Sequence, residues 1–324
     1  MNRYKNTILL SIRDLKVNFT IRKNWFGKAV QIRAVDGVNL NIGKNEILGL
    51  VGESGSGKTS IGRSLLKLVE ADGGEILFEG RDILRMKENE MFAIRRKMQM
   101  VFQDPYSSLS PRRQIRQILS EPLFLHKMVE AKDVEDRISE LLKEVGLESY
   151  FKDRFPHEMS GGQRQRVAIA RALALKPDLI ISDESVSALD VSVTAQILNL
   201  LKKFQKEKGL AMLFISHDLN VVGKMADRIA VMYAGIIVEK ASANDLINNP
   251  LHPYTKLLIS SIPGYHNRKS KKDTQVQRRP ESKVDSEGIC PFIDRCNEAR
   301  GICSEKVPLL KEIQKDRFVA CHLK

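Results

Sequence analysis

One octapeptide, Gly52 to Thr59, constrains this chain most, because it has the pattern G-x-x-x-x-G-K-[ST] of a phosphate-binding loop. It follows an apolar run of strand length at 46–51 and precedes helical apolar spacing at 60–66. A strand, a glycine-rich turn and a helix in this order direct backbone N–H groups and a positive helix end toward one anion. Lys58 is expected to reach the β- and γ-phosphates and the Thr59 hydroxyl to bind Mg²⁺. The predicted nucleotide-binding residues are Gly52, Glu53, Ser54, Gly55, Ser56, Gly57, Lys58, Thr59 and Ser60.

Length and composition set the broad class of protein. The chain has 324 residues, of which 42% are apolar and 29% charged, and its formal net charge is +13. These values predict a globular chain with one large domain and an appendage. The basic charge suits ATP, nucleic acid or an anionic membrane face and does not choose among them. No apolar run approaches the roughly 20 residues that cross a bilayer, and residues 1–10 lack a signal-peptide core, so we expect a cytosolic chain.

The order of apolar runs predicts an α/β fold. Alternating residues predict an edge strand at 8–20 and its partner at 34–42, and a short strand at 75–78 is expected to close at 80–82. Further strands are expected at 98–102, 179–182 and 211–216. Helical spacing at 111–175 and 194–204 separates them. Strands and helices in this alternation predict a parallel sheet covered on both faces, with an inserted helical lobe.

Two further segments carry chemistry. Asp183 and Glu184 follow the buried strand at 179–182, where phosphoryl-transfer proteins place an aspartate on Mg²⁺ and a residue that orients the attacking water. Upstream, Ser160 has the chemistry of a helix cap, and the glycines at 161–162 permit close approach to a ligand. A capped helix without a ligand is the alternative for this second segment.

In order and spacing, these segments resemble the motifs of ATP-binding-cassette ATPases. Residues 159–163 resemble the signature motif, Gln103 the Q-loop, Asp190 the D-loop aspartate and His217 the switch histidine. The resemblance implies a P-loop NTPase cassette with a mixed-sheet core, an edge antiparallel β-subdomain and an inserted α-helical lobe at about 104–177, followed by a small cysteine-bearing extension. The cassette would occupy 1–250, an extension and flexible linker 251–287, and the cysteine region 288–324.

Residue roles follow from the same resemblance. The implied catalytic residues are Glu184, His217, Gln103 and Lys58, and the implied Mg²⁺ ligands are Thr59, Gln103 and Asp183. The implied contacts with the ATP of the partner subunit are Ser160, Gly161, Gly162 and Gln163. Phe19 would stack on adenine, with Trp25 and Phe26 as alternatives. The cofactors would be ATP and Mg²⁺.

A narrower resemblance concerns the type of cassette. Residues 102–112, 187–200 and 252–255 resemble the ATPase subunits of oligopeptide and dipeptide importers, in particular the F-type subunit. This implies two transmembrane permease subunits, a second D-type ATPase subunit, an extracytoplasmic peptide-binding protein, no nucleic acid, and a place on the cytoplasmic face of the cell membrane. Residues 106–113 would be exposed toward the permeases. Ser185 departs from the family, which commonly has proline there.

Other functions remain in view. Related importers carry nickel or metal chelates on the same segments. A soluble cassette that acts on nucleic acid or ribosomes would suit the basic charge, but such proteins usually carry two cassettes or a long coiled coil, whereas this chain has one phosphate loop and one signature. A cassette that only binds ATP is disfavoured, because Glu184 and His217 are both present.

The four cysteines all lie near the end of the chain, with the spacing C-x5-C-x6-C-x17-C. The spacing lacks a C-x2-C knuckle, which argues against a common zinc finger. A [4Fe-4S] cluster, which some members of the resembled group bind, zinc, or no metal are the alternatives, and His322 is a spare ligand. Without a metal, the thiols would join a small core with Phe292, Ile302, Leu309 and Phe318. The candidate ligands are Cys290, Cys296, Cys303 and Cys321.

Overall fold

The computed structural model describes residues 7–22, 29–187, 189–262 and 288–324. Trp25, Phe26 and residues 263–287 of the predicted extension and linker at 251–287 lie outside the described residues. The first part of that predicted segment forms a helix, α10, at Pro253–Ser260. The strands are β1 Ile8–Arg22, β2 Ala29–Gly43, β3 Ile47–Val51, β4 Gly73–Phe78, β5 Arg81–Asp82, β6 Met98–Val101, β7 Leu179–Asp183, β8 Ala211–Ser216, β9 Arg228–Tyr233, β10 Ile236–Ser242, β11 Lys311–Gln314 and β12 Arg317–Val319. The helices are α1 Lys58–Leu65, α2 Glu88–Lys97, α3 Pro105–Ser108, α4 Ile115–Leu125, α5 Val134–Glu144, α6 Gly161–Leu173, α7 Val191–Lys208, α8 Leu219–Met225, α9 Ala243–Asn248 and α10 Pro253–Ser260.

The chain divides into two compact units. The first is built mainly from Arg85–Ile215 and also includes Ile42–Ile47. The second combines Leu10–Asn41, Leu48–Leu84 and Ser216–Lys324. None of the helices in the described ranges combines the length and apolar character needed to cross a membrane.

The first unit holds three parallel strands in the order β6-β7-β8. Every residue of β7 and β8 is buried, as their uninterrupted apolar runs predict for strands with both faces covered. The predicted helical block appears as α4, α5 and α6, joined by short 3₁₀ turns. In α5 the spacing of Val134, Ile138 and Leu141 places these side chains on one buried face.

The second unit holds two groups of strands. One group has the order β2-β1-β4-β5, and the other the order β11-β12-β10-β9-β3, in which β3 and β9 are parallel and the remaining pairs antiparallel. Two sequence predictions are wrong here. β1 is not an edge strand, since it lies between β2 and β4. The prediction failed because alternation of apolar residues indicates which face of a strand is buried and not how many neighbouring strands it has. Residues 81–82 form β5, and the turn falls instead at Glu79 and Gly80, which both have positive φ.

Residues 288–324 belong to the second unit. β12 pairs with β10 through Glu239 opposite Val319 and Lys240 opposite Phe318. The small separate core predicted for this region is not formed as expected, because Ile302 and Leu309 are 47% and 67% exposed. Phe292, by contrast, is buried and packs against rings outside the tail.

His252 begins α10 in the interior of the second unit. Its Nδ1 accepts a hydrogen bond of 3.1 Å from the Tyr254 N–H, and its backbone N–H donates to the buried carboxylate of Glu239 at 2.9 Å. Burial lowers the pKa of His252 from 6.5 to about 4, although a hydrogen bond with the Ala320 backbone opposes this shift. The folded protein therefore holds a neutral imidazole at physiological pH.

This histidine should make the fold sensitive to acid. Between pH 6.5 and about 4 the unfolded chain binds a proton at His252 that the folded chain excludes. As the pH is lowered through this range, this group should therefore reduce the free energy of unfolding by about 3 kcal/mol. Urea unfolding across this range measures the slope. His252→Asn retains an oxygen that can cap α10 but does not titrate, so its slope should be shallower; equal slopes would contradict the assignment.

Candidate active site

The phosphate loop connects β3 to α1, as its sequence context predicts. Two of its glycines are required by close approach of other backbone. A Cβ atom on Gly57, whose φ is 106°, would lie 2.0 Å from the Ala34 carbonyl oxygen, and one on Gly52 would lie 2.2 Å from the Met232 carbonyl oxygen. The loop is therefore fixed by β2 on one side and by the end of β9 on the other.

Lys58 lies inside this loop and is only 3% exposed. Its Nζ donates to the carbonyl oxygens of Gly52 and Glu53, both at 2.8 Å, and to Ser56 Oγ at 3.3 Å. A buried ammonium group needs such acceptors, because an unpaired charge in the interior is costly. Phosphate oxygens are acceptors of the same kind, so the loop presents a cation that a triphosphate can bind.

Glu53 in the loop has partners from distant parts of the second unit. Its N–H donates to Tyr254 Oη at 2.9 Å, and its carboxylate forms a bidentate ion pair with Arg295, at 2.7 and 2.8 Å. Burial, followed by the nearby Glu53 carboxylate, raises the pKa of Tyr254, and the hydrogen bond to Glu53 raises that of Arg295. Sequence reasoning missed both roles; only the motif at 252–255 pointed to Tyr254.

The carboxyl end of β7 carries the predicted acidic pair in the first unit. Asp183 is 1% exposed and lies opposite Ile215 of β8. Glu184 has a φ of 44°, and its N–H donates to the Ile215 carbonyl at 2.9 Å. A left-handed backbone is unfavourable for glutamate, and strain of this kind clusters at functional sites. Gln103 Nε2 donates to Glu184 Oε2 at 3.1 Å, so the structure brings these two predicted residues together.

Ser185, the departure from the family pattern, is buried behind this pair. Its hydroxyl lies 2.6 Å from that of Ser182, which is also buried. The Ser187 hydroxyl donates to the Glu184 carbonyl at 2.9 Å. These hydrogen bonds hold the turn after Glu184, where a proline ring would otherwise restrict it.

The predicted signature residues form the start of α6. Ser160 Oγ accepts from the Gln163 N–H at 3.3 Å, and Gln163 Oε1 accepts from the Ser160 N–H at 2.9 Å, which makes a capping box. A Cβ on Gly162 would lie 2.5 Å from Val193 Cγ1, so helices α6 and α7 need this glycine to pack closely. Ser160 is exposed, as is Asp190 at the start of α7.

Three further predicted residues, His217, Phe19 and Tyr106, lie at the surface. His217 directly follows β8 and is exposed in the second unit. Phe19 on β1 is 39% exposed. Tyr106 is 53% exposed beneath the guanidinium of Arg164, which lies 5.2 Å from the ring centroid.

The four cysteines are free thiols. Cys290 and Cys303 are buried, and the Cys290 N–H donates to the Cys303 carbonyl at 2.8 Å. Burial, and to a smaller extent the other thiols, raises the pKa of Cys290, Cys296 and Cys321, which favours the protonated form. Within the described ranges, no three His, Cys, Asp or Glu residues are arranged to hold a metal ion. His322 Nε2 lies 2.7 Å from the Lys306 carbonyl oxygen.

Comparison with known proteins identifies the class of this arrangement. Residues 35–187 match the family described as ABC transporter. The chain is also similar to the solved dimeric structure of the ATP-binding cassette MJ0796 in a post-hydrolysis state with ADP and Pi. The two are 30% identical with a TM-score of 0.65, over 72% of this chain and 98% of that one.

Longer matches define the family. Residues 238–303 match the family described as oligopeptide/dipeptide transporter, C-terminal region. The chain is 46% identical to the oligopeptide transport ATP-binding protein AppF of Bacillus subtilis, over 97% of each chain. It is 45% identical to OppF of Salmonella typhimurium, over 94% of this chain and 93% of the relative. This chain therefore belongs to the ATP-binding proteins of oligopeptide and dipeptide ABC transporters, and the resemblance seen in the sequence is confirmed.

Loss of the buried ammonium group should remove nucleotide binding. Lys58→Ala removes the cation that is expected to donate charge-assisted hydrogen bonds to the phosphates, so the Kd for Mg-ATP should rise by at least about 100-fold. Titration with a fluorescent ATP analogue measures the change, with thermal unfolding as a check on folding. Lys67→Ala, which removes a helix-end lysine that donates to the Leu84 carbonyl, is the matched control and should bind normally. Near-normal binding by Lys58→Ala would refute the role of Lys58.

Proposed function

We propose that this chain is the ATP-hydrolysing subunit of a membrane importer of oligopeptides or dipeptides. The observation that carries the proposal is the buried Lys58 ammonium in a loop of fixed backbone, in a chain whose residues 238–303 match the C-terminal region of peptide transporters. The Bacillus subtilis and Salmonella typhimurium relatives are named as oligopeptide transport ATP-binding proteins, and this chain is similar to them over nearly their whole length.

Nucleotide binding falls to the second unit. The loop N–H groups and Lys58 would hold the phosphates, and Phe19 would stack on adenine. The Thr59 hydroxyl in the second unit, and the Gln103 amide oxygen and buried Asp183 carboxylate in the first, are hard oxygen donors of the kind that Mg²⁺ prefers, so these residues would hold the ion. When bound, the ion neutralises charge that develops on the phosphates.

Hydrolysis falls to Glu184 as the general base, with Gln103 and His217 in support. The 3.1 Å hydrogen bond from Gln103 fixes one carboxylate oxygen of Glu184, and the strained backbone at this residue sets the direction of its side chain. A base held in this way accepts a proton from water without first having to reorient.

A closed pair of cassettes completes the proposed mechanism. Ser160 and the N–H groups at 161–163 begin a helix whose positive end would face the γ-phosphate held by a partner subunit. Asp190 would lie at the same interface between the two subunits. The similarity to a dimeric cassette supports this arrangement. Because the γ-phosphate is the group that distinguishes ATP from ADP, its loss would release the pair.

The partners follow from the importer class. They would be two transmembrane permease subunits, a D-type ATPase subunit as the second cassette, and an extracytoplasmic peptide-binding protein. The chain would lie on the cytoplasmic face of the cell membrane, with the exposed residues around Tyr106 directed to the permeases. Import of metal chelates and action on nucleic acid are not favoured, because the relatives at 42–46% identity over nearly the full chain are named for oligopeptides or dipeptides.

A [4Fe-4S] cluster on Cys290, Cys296, Cys303 and Cys321 is a separate proposal. It rests on the family resemblance of the four cysteines alone. Burial raises the pKa of Cys290, Cys296 and Cys321, which disfavours the thiolates that a cluster needs, and within the described residues no three candidate ligands are arranged to hold a metal ion. The proposed ATPase mechanism therefore uses no step through this group. Iron and acid-labile sulfide in anaerobically purified protein would support the cluster, and their absence would exclude it.

Replacement of the proposed base should separate binding from hydrolysis. Glu184→Gln keeps a group that can pair with Gln103 but removes the proton acceptor, so turnover should fall by about 100-fold or more while ATP binding persists. Phosphate release and nucleotide titration measure the two quantities. Glu207→Gln makes the same carboxylate-to-amide change at an exposed position of α7; it is the matched control and should turn over at the normal rate. Turnover near the wild-type rate in Glu184→Gln would eliminate Glu184 as the base.

A substitution at the signature serine should act across the pair. Ser160→Arg places a long cation where the partner's γ-phosphate would bind, so hydrolysis should stop while the variant's own loop still binds ATP. Ser160→Ala removes the same helix cap without the added bulk, and should lose only about 1 kcal/mol of stability. If both variants lose the same fraction of activity, the cap alone matters and the contact with the partner is refuted.

A further inference from the structure

An ion pair joins the cysteine-bearing tail to the phosphate loop. Arg295 lies between Cys290 and Cys296 in sequence, and its two terminal nitrogens reach the two carboxylate oxygens of Glu53, at 2.7 and 2.8 Å. The two residues are 242 positions apart. Bidentate pairing of this kind fixes the orientation of both groups.

The surroundings of Arg295 hold it in place. Its side chain is 19% exposed, and its guanidinium lies 5.7 Å from the ring centroid of Tyr233 and 5.8 Å from that of Phe292. Phe292 is itself 3% exposed and packs edge-on against Tyr233. Ring contacts and partial burial leave Arg295 few alternative positions, so the pair is more than a mobile surface contact.

Charge gives this pair a consequence for ligand binding. Glu53 directly follows Gly52, and its carbonyl oxygen accepts a hydrogen bond from Lys58 at 2.8 Å. A triphosphate brings several negative charges to this loop, and an unpaired carboxylate beside it would repel them. The backbone of Glu53 is also held, because its N–H donates a hydrogen bond to the hydroxyl of Tyr254 in α10.

We propose that Arg295 is a positioning residue for nucleotide binding, which acts by neutralising the Glu53 carboxylate beside the bound phosphates. The tail thereby becomes part of the nucleotide site. This inference rests on the proposed binding of ATP by the loop. Binding of Mg-ATP by the unmodified chain tests that premise separately.

Titration of the full-length chain with a fluorescent ATP analogue and Mg²⁺ tests the proposal. Arg295→Ala should raise the Kd by about three- to tenfold, and Arg295→Lys, which keeps the charge but loses the fork, should raise it less. The effect of Arg295→Ala should shrink as salt is added, because it is electrostatic. In the assembled ATPase, KM for ATP should rise while kcat changes little.

The decisive variant is the double substitution Glu53→Gln with Arg295→Ala. It removes both charges, so affinity should return to within about twofold of the wild type if charge repulsion is the cause. Lys256→Ala is the matched control and should leave the Kd unchanged. Its 2.8 Å ion pair with Glu298 joins α10 to the tail and includes no residue of the phosphate loop.

Two results would overturn the proposal. One is an unchanged Kd in both Arg295 variants, with Mg-ATP still bound by the wild type. The other is an affinity loss in Arg295→Ala that Glu53→Gln does not restore, since this would mean that Arg295 only supports the fold. Thermal unfolding of each variant shows which chains are folded. If Arg295→Ala does not fold, the comparison of Arg295→Lys with the wild type still tests the proposal.

Discussion

The buried ammonium group of Lys58 is the interaction on which the site depends. A cation in a protein interior must be surrounded by acceptors, and here the carbonyl oxygens of Gly52 and Glu53 and the Ser56 hydroxyl supply them. A backbone can direct two of its carbonyl oxygens at one nitrogen only if it turns sharply. The loop conformation and the buried charge therefore require each other, and a triphosphate is a ligand that suits both.

The frame around the loop fixes its conformation through contacts within the second unit. The close approach of the Ala34 and Met232 carbonyls leaves room only for glycine at 57 and 52. Tyr254 and Arg295 then hold Glu53, which follows the first of these glycines, by its N–H group and its carboxylate. A preformed loop binds its ligand without losing much conformational entropy, which favours affinity.

The sequence predicts features that depend on neighbouring residues. The phosphate loop, the buried strand that ends at Asp183 and the helix cap at Ser160 are encoded within a few positions, so pattern and spacing suffice. The sequence does not predict which strands pair. The tail strand at Arg317–Val319 joins β10, and β1 has two neighbours, because pairing depends on residues far apart in the chain.

The same distinction applies to the site. The family pattern predicts Gln103 and Glu184 as site residues, but only the structure shows the 3.1 Å hydrogen bond between their side chains. Arg295 had no sequence signal, because an arginine in a charged tail is usually solvated. Its role depends on a fold that brings position 295 to position 53. The roles of the other site residues stay predictions.

The central claim is that ATP is split only by a closed pair of cassettes. The most direct test follows molecular mass and phosphate release in the same samples, over a range of protein concentrations at saturating Mg-ATP, with this chain and its paired subunit. The account predicts that turnover per chain rises with the paired fraction and vanishes for separate chains. Full turnover by chains that remain separate would contradict it.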